Sequence, residues 1–208
     1  MPSRPAAPDA TSGSGPARTE RAHVTNPATY FRAMARNNAW ANHRLLQACA
    51  QLSDAEFQAE RVSFFPSIMG TLNHLLYVDW FYVDALEGGT LGPKAWADET
   101  PCPTTATLIP AQQAVDRRLV AFCDRLTEDA LAAETRIHRG DRVQVDRTDK
   151  VLLHLFEHQI HHRGQAHAML AGTSVKPPQL DEFFMTDEAP LRADDFKALG
   201  WNEADVWR

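Results

Sequence analysis

The sequence predicts an all-α protein organised around four long helices. Three observations carry that prediction. Four separate segments repeat apolar residues at i, i+3 and i+4, the spacing that gives a helix one apolar face. Stretches rich in Gly, Pro and Thr divide these segments. The length of 208 residues, with 44% hydrophobic and 23% charged residues, suffices for one substantial core.

Residues 1–25, MPSRPAAPDATSGSGPARTERAHVT, hold almost no large apolar side chains and read as a disordered tail, with translation starting near Val24 as one hypothesis. The tail lacks the apolar centre of a secretory signal. Residues 26–208 read as a single helical domain. The first helix opens at Pro27, which suits a first turn, and places Phe31, Met34, Asn38, Ala41, Leu45, Ala48 and Leu52 on one stripe. Asn38 interrupts that stripe, as a satisfied core amide or as a group lying behind a functional site. Ser53 to Glu56, SDAE, form a capping box for a short helical turn.

The second helix starts after Pro66 and stops at Gly88 and Gly89. His74 falls on or beside its buried face, with Thr71, Val78, Phe81 and Ala85. Residues 90–107 read as a long loop, and residues 108–127 as the third helix, striped by Val115, Leu119, Phe122 and Leu126. Arg-Gly-Asp between Ile137 and Val143 predicts a short hairpin. Thr148 or Asp149 then caps a fourth long helix that Gly172 ends. Beyond it, Phe183, Phe184 and Met185 are expected to pack back on the bundle, residues 194–199 to form a short helix, and Trp201 and Trp207 to anchor the tail.

The fourth helix, KVLLHLFEHQIHHRGQAHAMLAGT, holds five of the nine histidines. Its core-facing stripe runs Val151, Leu155, His158, His162, Gln165, Met169. Two imidazoles one turn apart in an apolar seam need partners, and a divalent metal satisfies both. His74 supplies a third nitrogen, and three protein ligands with an open position are the arrangement of a catalytic site. Two other i, i+4 pairs, His154 with His158 and Glu157 with His161, involve the polar stripe Lys150, His154, Glu157, His161 and rank lower. Glu157 is a candidate for proton transfer, and Gln165 for orienting a ligand or bound water. His161 and His167 read as solvent-facing. Gly164, costly inside a helix, suggests close helix approach or access to the site.

Other chemistries find little support. The net charge is −6 with no Lys/Arg run, which argues against nucleic acid. No apolar run has the length of a membrane span. Cys49, Cys102 and Cys123 are scattered and odd in number, which suits reduced thiols in the cytoplasm. GxSxG, P-loop, GxGxxG and HEXXH patterns are absent.

At this point HLFEHQIHHRGQAHAML resembles the signature helix of the DinB-like proteins, a damage-inducible family of four-helix metalloproteins. TLNHLLYVDWFY resembles that family's second helix, YFRAMARNNAWANHRLL its first, and KPPQLDEFFM its Pro-Pro-Asp-aromatic end. The resemblance spans residues 27–185. It implies an up-down-down-up four-helix bundle, often a homodimer, with zinc or nickel held by His74, His158 and His162. Relatives include bacillithiol and mycothiol S-transferases and a mycothiol-dependent maleylpyruvate isomerase, some with a glutamate where His158 stands. The activity so implied is transfer of a low-molecular-weight thiol to a small electrophile. Hydrolysis by metal-activated water, with Glu157 as base, is the alternative enzyme. A non-catalytic metal-binding stress-response module is the alternative to both.

Overall fold

The computed structural model describes residues 26–207; the tail expected at residues 1–25 lies outside them. Four long helices form the bundle: α1 (Pro27–Cys49), α3 (Ile68–Leu86), α4 (Thr105–Asp124) and α6 (Thr148–Leu170). Three shorter helices accompany them: α2 (Asp54–Gln58), α5 (Glu128–Ala132) and α7 (Ala189–Leu199). In the bundle α1 packs mainly on α4, and α3 on α6; contacts of α3 with α4 and α1 with α6 close the square. Fully buried Leu45, Ile68, Leu75, Leu76, Leu108, Leu119, Leu152 and Leu155 fill the space between them. Removing that apolar surface from water is the main driving force for the bundle.

The helix starts follow local chemistry. Asn26 caps α1, its Oδ1 accepting from the Ala28 amide at 2.9 Å, with Pro27 just inside. Ser53 and Glu56 form the expected capping box on α2. Ser67 caps α3 through Gly70 N at 2.9 Å, and the chain leaves that helix at Gly88 with φ of 83°.

Two expectations about boundaries fail. The third long helix occupies Thr105–Asp124 instead of 108–127, because Thr104 and Thr107 cap each other reciprocally and start it earlier. Leu126 lies in the following turn, where Thr127 caps α5 through the Ala130 amide at 3.1 Å. Neither Thr148 nor Asp149 caps α6. The Thr148 hydroxyl instead meets Thr135 Oγ1 at 2.9 Å and Ala133 O at 3.1 Å, and Asp149 pairs with Arg147. The hairpin is present. Strands β1 (Glu134–His138) and β2 (Val143–Arg147) pair antiparallel, with Ile137 opposite Gln144. Gly140 turns it at φ of 94°, a conformation that costs glycine little. Residues 90–107 also carry a 3-10 turn, Gly92–Trp96, seated against the hairpin; a Cβ on Gly92 would come within 3.0 Å of His138 O.

A second, smaller core lies outside the bundle, where Trp40 meets Phe183, Phe196 and Val206. Of the three residues expected to pack back, only Phe183 is buried; Phe184 and Met185 stay exposed. The C-terminal helix is longer than the expected 194–199. Arg44 ties it to α1: Nε donates to Asp195 Oδ2 at 2.6 Å and Nη1 to Glu182 Oε2 at 3.1 Å. Trp201 packs half-buried on Phe196, whereas Trp207 remains half exposed beside Phe184.

Candidate metal centre

The structure brings His74, His158 and His162 together: one ligand nitrogen from each lies within 4.8 Å of the others. The spacing explains why. His158 and His162 stand one turn apart on α6, and α3 lays His74 against them. Ring centroids are 4.8 Å apart for His74 and His158, 4.4 Å for His74 and His162, and 4.5 Å for His158 and His162.

Hydrogen bonds orient two of the rings. His74 Nδ1 meets the Tyr77 hydroxyl at 2.7 Å, and His162 Nδ1 donates to Gln165 Oε1 at 2.8 Å. Both contacts engage Nδ1 and leave Nε2 toward the shared centre. Such partners fix tautomer and ring angle in histidine metal sites. His158 Nε2 lies 2.8 Å from His74 Nε2, and its buried Nδ1 has no partner. A hydrogen bond between two imidazole nitrogens requires one ring to hold the proton between them. A divalent cation would take the place of that proton and use both lone pairs.

The donor set fits such an ion. Burial, reinforced by the neighbouring rings, pushes His158 down to about 3 and His74 down to about 4. His162 is also lowered, mainly by burial and against the Gln165 hydrogen bond. All three are therefore neutral at pH 7, the form that binds metals. Two nitrogens bound tetrahedrally at zinc distances sit roughly 3.3 Å apart, a small opening from the 2.8 Å seen here.

Phe65, in the segment before α3, covers the centre, 4.3 Å from His74 and 5.6 Å from His162. His74 and His158 border a cleft of about 350 Å³, together with Tyr77, Trp96, Glu99 and Arg139. Trp96 and Glu99 come from the long connection between α3 and α4. The sequence reading missed Phe65, Tyr77 and Arg139. A tyrosine three residues after His74 is the signal that could have exposed the second of these.

The remaining expected site residues lie in different places. Gln165 is at the triad, and its Nε2 also meets His161 Nε2 at 3.1 Å. Glu157 is exposed on the outward stripe with Lys150, His154 and His161, and no hydrogen bond joins it to the triad. His167 is half-buried on Pro178 O at 2.8 Å. Gly164 faces open space, so close helix approach does not explain it. Asn38 is a core amide: its Oδ1 accepts from Arg163 Nη1 at 2.7 Å.

No helix is long and apolar enough to cross a membrane among the described residues. No curated protein matches the chain. Among solved structures, it is similar to a DinB-like protein from Bacillus cereus ATCC 10987, with TM-score 0.54 and 14% identity over 70% of this chain and 94% of that one. The DinB family model matches residues 24–195, in agreement with the four-helix architecture, and the chain belongs to the DinB family.

Proposed function

We propose that His74, His158 and His162 hold a divalent ion, zinc or nickel, and that the protein is a metal-dependent transferase joining a low-molecular-weight thiol to a small electrophile. One observation carries the reading: three neutral imidazoles converge within 4.8 Å, two of them bordering an open cleft. When bound, the cation would lower the pKa of a thiol and favour its nucleophilic thiolate form. The chain's own residues do the rest. Tyr77 and Gln165 hold two rings in the tautomer that frees Nε2. Phe65 shields one side from water, and Trp96 walls the cleft in which a small molecule would lie.

Hydrolysis would need a positioned base. Glu157 is exposed and no hydrogen bond joins it to the triad, and this favours the thiol reading. Glu157 therefore carries no step here, and Gln165 acts as a positioning residue. We place the protein in the cytoplasm, where its three free buried cysteines would stay reduced. We also propose a homodimer; exposed Leu153 and Ile160, two turns apart on one face of α6, offer apolar contact.

The test is metal content of tag-free protein, followed by a thiol screen. About one zinc or nickel per chain, lost in His158→Ala, is the expected result, with electrophile consumption that needs both metal and thiol. Consumption that proceeds equally without thiol would replace transfer by hydrolysis.

A further inference from the structure

The cleft at the triad does not end at the histidines. Tyr82, Arg139 and His154 border it and also line an adjoining hollow of about 250 Å³, which reaches Gln144, Asp146 and Lys150. The two form one groove, with the triad at one end and the hairpin at the other. Arg139, in the hairpin turn, stands at their junction.

Arg139 is built into this position. Its Nε donates to Gln144 Oε1 at 3.0 Å and its Nη2 to the Tyr82 hydroxyl at 3.2 Å. Its guanidinium carbon lies 4.9 Å from the Phe81 ring centre and 5.8 Å from that of Tyr82. Two aromatic faces and two hydrogen bonds hold the fork in place. Those bonds use two of its five N–H donors, and no described carboxylate pairs with it. Asp146, which lines the hairpin end, is engaged by Gln144 Nε2 at 2.5 Å. Arg139 and Lys150 face Asp146 at the hairpin end, and Glu99 borders the cleft beyond the junction.

We propose that Arg139 receives the carboxylate of a small substrate or thiol whose reacting end lies at the triad. A planar fork with unused donors matches a carboxylate. The groove's apolar walls, Phe81, Tyr82 and Trp96, accommodate the body between the two ends. That the bound carboxylate belongs to a substrate rests on the metal-centre reading; the anion site itself does not.

Chelator-treated full-length protein is titrated with hexanoate and with hexan-1-ol, following the Arg139 Nε–H resonance by NMR. Hexanoate is expected to shift that resonance and to bind about tenfold more tightly than the alcohol, a difference of about 1.4 kcal/mol. Arg139→Gln is expected to erase that advantage while leaving the alcohol's affinity unchanged, and Arg139→Lys to restore part of it. Equal affinities in the parent, no binding of hexanoate, or an advantage that survives Arg139→Gln overturns the proposal. Metal content of the same protein before chelation separates the two readings. A hexanoate advantage without metal removes only the metal centre; bound metal without that advantage removes only the carboxylate site.

Discussion

Helix α6 carries two polar clusters one residue out of step, and they are opposites. His158 and His162 belong to the histidine triad, where their ring nitrogens meet few protein partners. Gln159 and Arg163, next to them in sequence, face the bundle interior, where bonds close almost completely. Arg163 Nη1 donates to Asn38 Oδ1 at 2.7 Å and to Asn42 Oδ1 at 2.9 Å; Asn42 Nδ2 passes the link to Asp116 Oδ1 at 3.0 Å. Gln112 Nε2 donates to Asp116 Oδ1 at 3.1 Å and to Asp79 Oδ2 at 2.7 Å, while Gln159 Nε2 donates to Asp79 Oδ1. Burial draws Arg163 down to about 10, still cationic at neutral pH. A buried polar network that answers nearly all of its own donors leaves no room for a ligand, whereas three neutral imidazoles, two of them sharing one proton, can take up a cation's charge. The same helix thus supplies a structural polar core and a reactive polar edge, separated by one residue of helical phase.

Removing a charge from the closed cluster is the most damaging way to break this contrast. Arg163→Met leaves the Asp116 carboxylate and two asparagine oxygens buried without their cation, at a cost of about 3–5 kcal/mol. Urea denaturation measures it, and a loss below about 1 kcal/mol would show that water reaches the network. The open cluster responds differently. His158→Ala should alter the stability of metal-free protein little. The parent should gain about 2.7 kcal/mol at a metal concentration a hundred times Kd, and the variant nothing. Melting curves with and without zinc distinguish these cases, and equal metal stabilisation of both proteins would place the ion elsewhere.

The open cluster was legible in the sequence and the closed one was not. His158 and His162 announce themselves by a spacing of four on an apolar stripe, and His74 by its place on the buried side of α3. Arg163 was overlooked because α6 buries two stripes. The second runs Leu152, Phe156, Gln159, Arg163, Ala166, Leu170, all buried. A polar or charged residue on an apolar stripe was the available signal, and it recurs on every long helix: Asn42 on α1, Asp79 on α3, Asp116 on α4. Each taken alone reads as an exposed polar residue; only their convergence reveals a network, and periodicity within one helix carries no information about convergence between four. Arg139 was hidden for a related reason. Arg-Gly-Asp gave the turn, but the direction of the arginine depends on Tyr82 and Gln144, which flank it only after the hairpin docks on α3.

Gln165 offers a finer cut at the open cluster. Its Oε1 orients His162 without being a ligand itself. Gln165→Ala should therefore weaken metal affinity about tenfold while leaving the number of bound ions unchanged. Competition with a chromophoric chelator measures both quantities. Unchanged affinity would show that packing alone holds the His162 ring.

The dependence on pH sharpens the comparison further. Burial, with help from Asp116, raises the Asp79 carboxyl from its ordinary 3.8 to about 8, against the hydrogen bonds from Gln112 and Gln159. Folded Asp79 therefore keeps its proton at pH 7, and that proton is a donor for which buried, unpartnered Gln159 Oε1 is an available acceptor once the amide turns. The unfolded chain releases the same proton near pH 4. Stability from this group is thus complete below about pH 4, drains as pH rises, and is gone above about pH 8, at roughly 1 kcal/mol per pH unit. Asp116, raised to about 6, tilts the curve the same way over a narrower range, so the informative quantity is the difference between parent and Asp79→Asn. The amide stays neutral at every pH, and the variant's stability should fall less steeply between pH 5 and pH 8. Parallel curves would mean that Asp79 is ionised inside the bundle, with Arg163 as its counter-charge, and the closed cluster would then be an ionic network throughout.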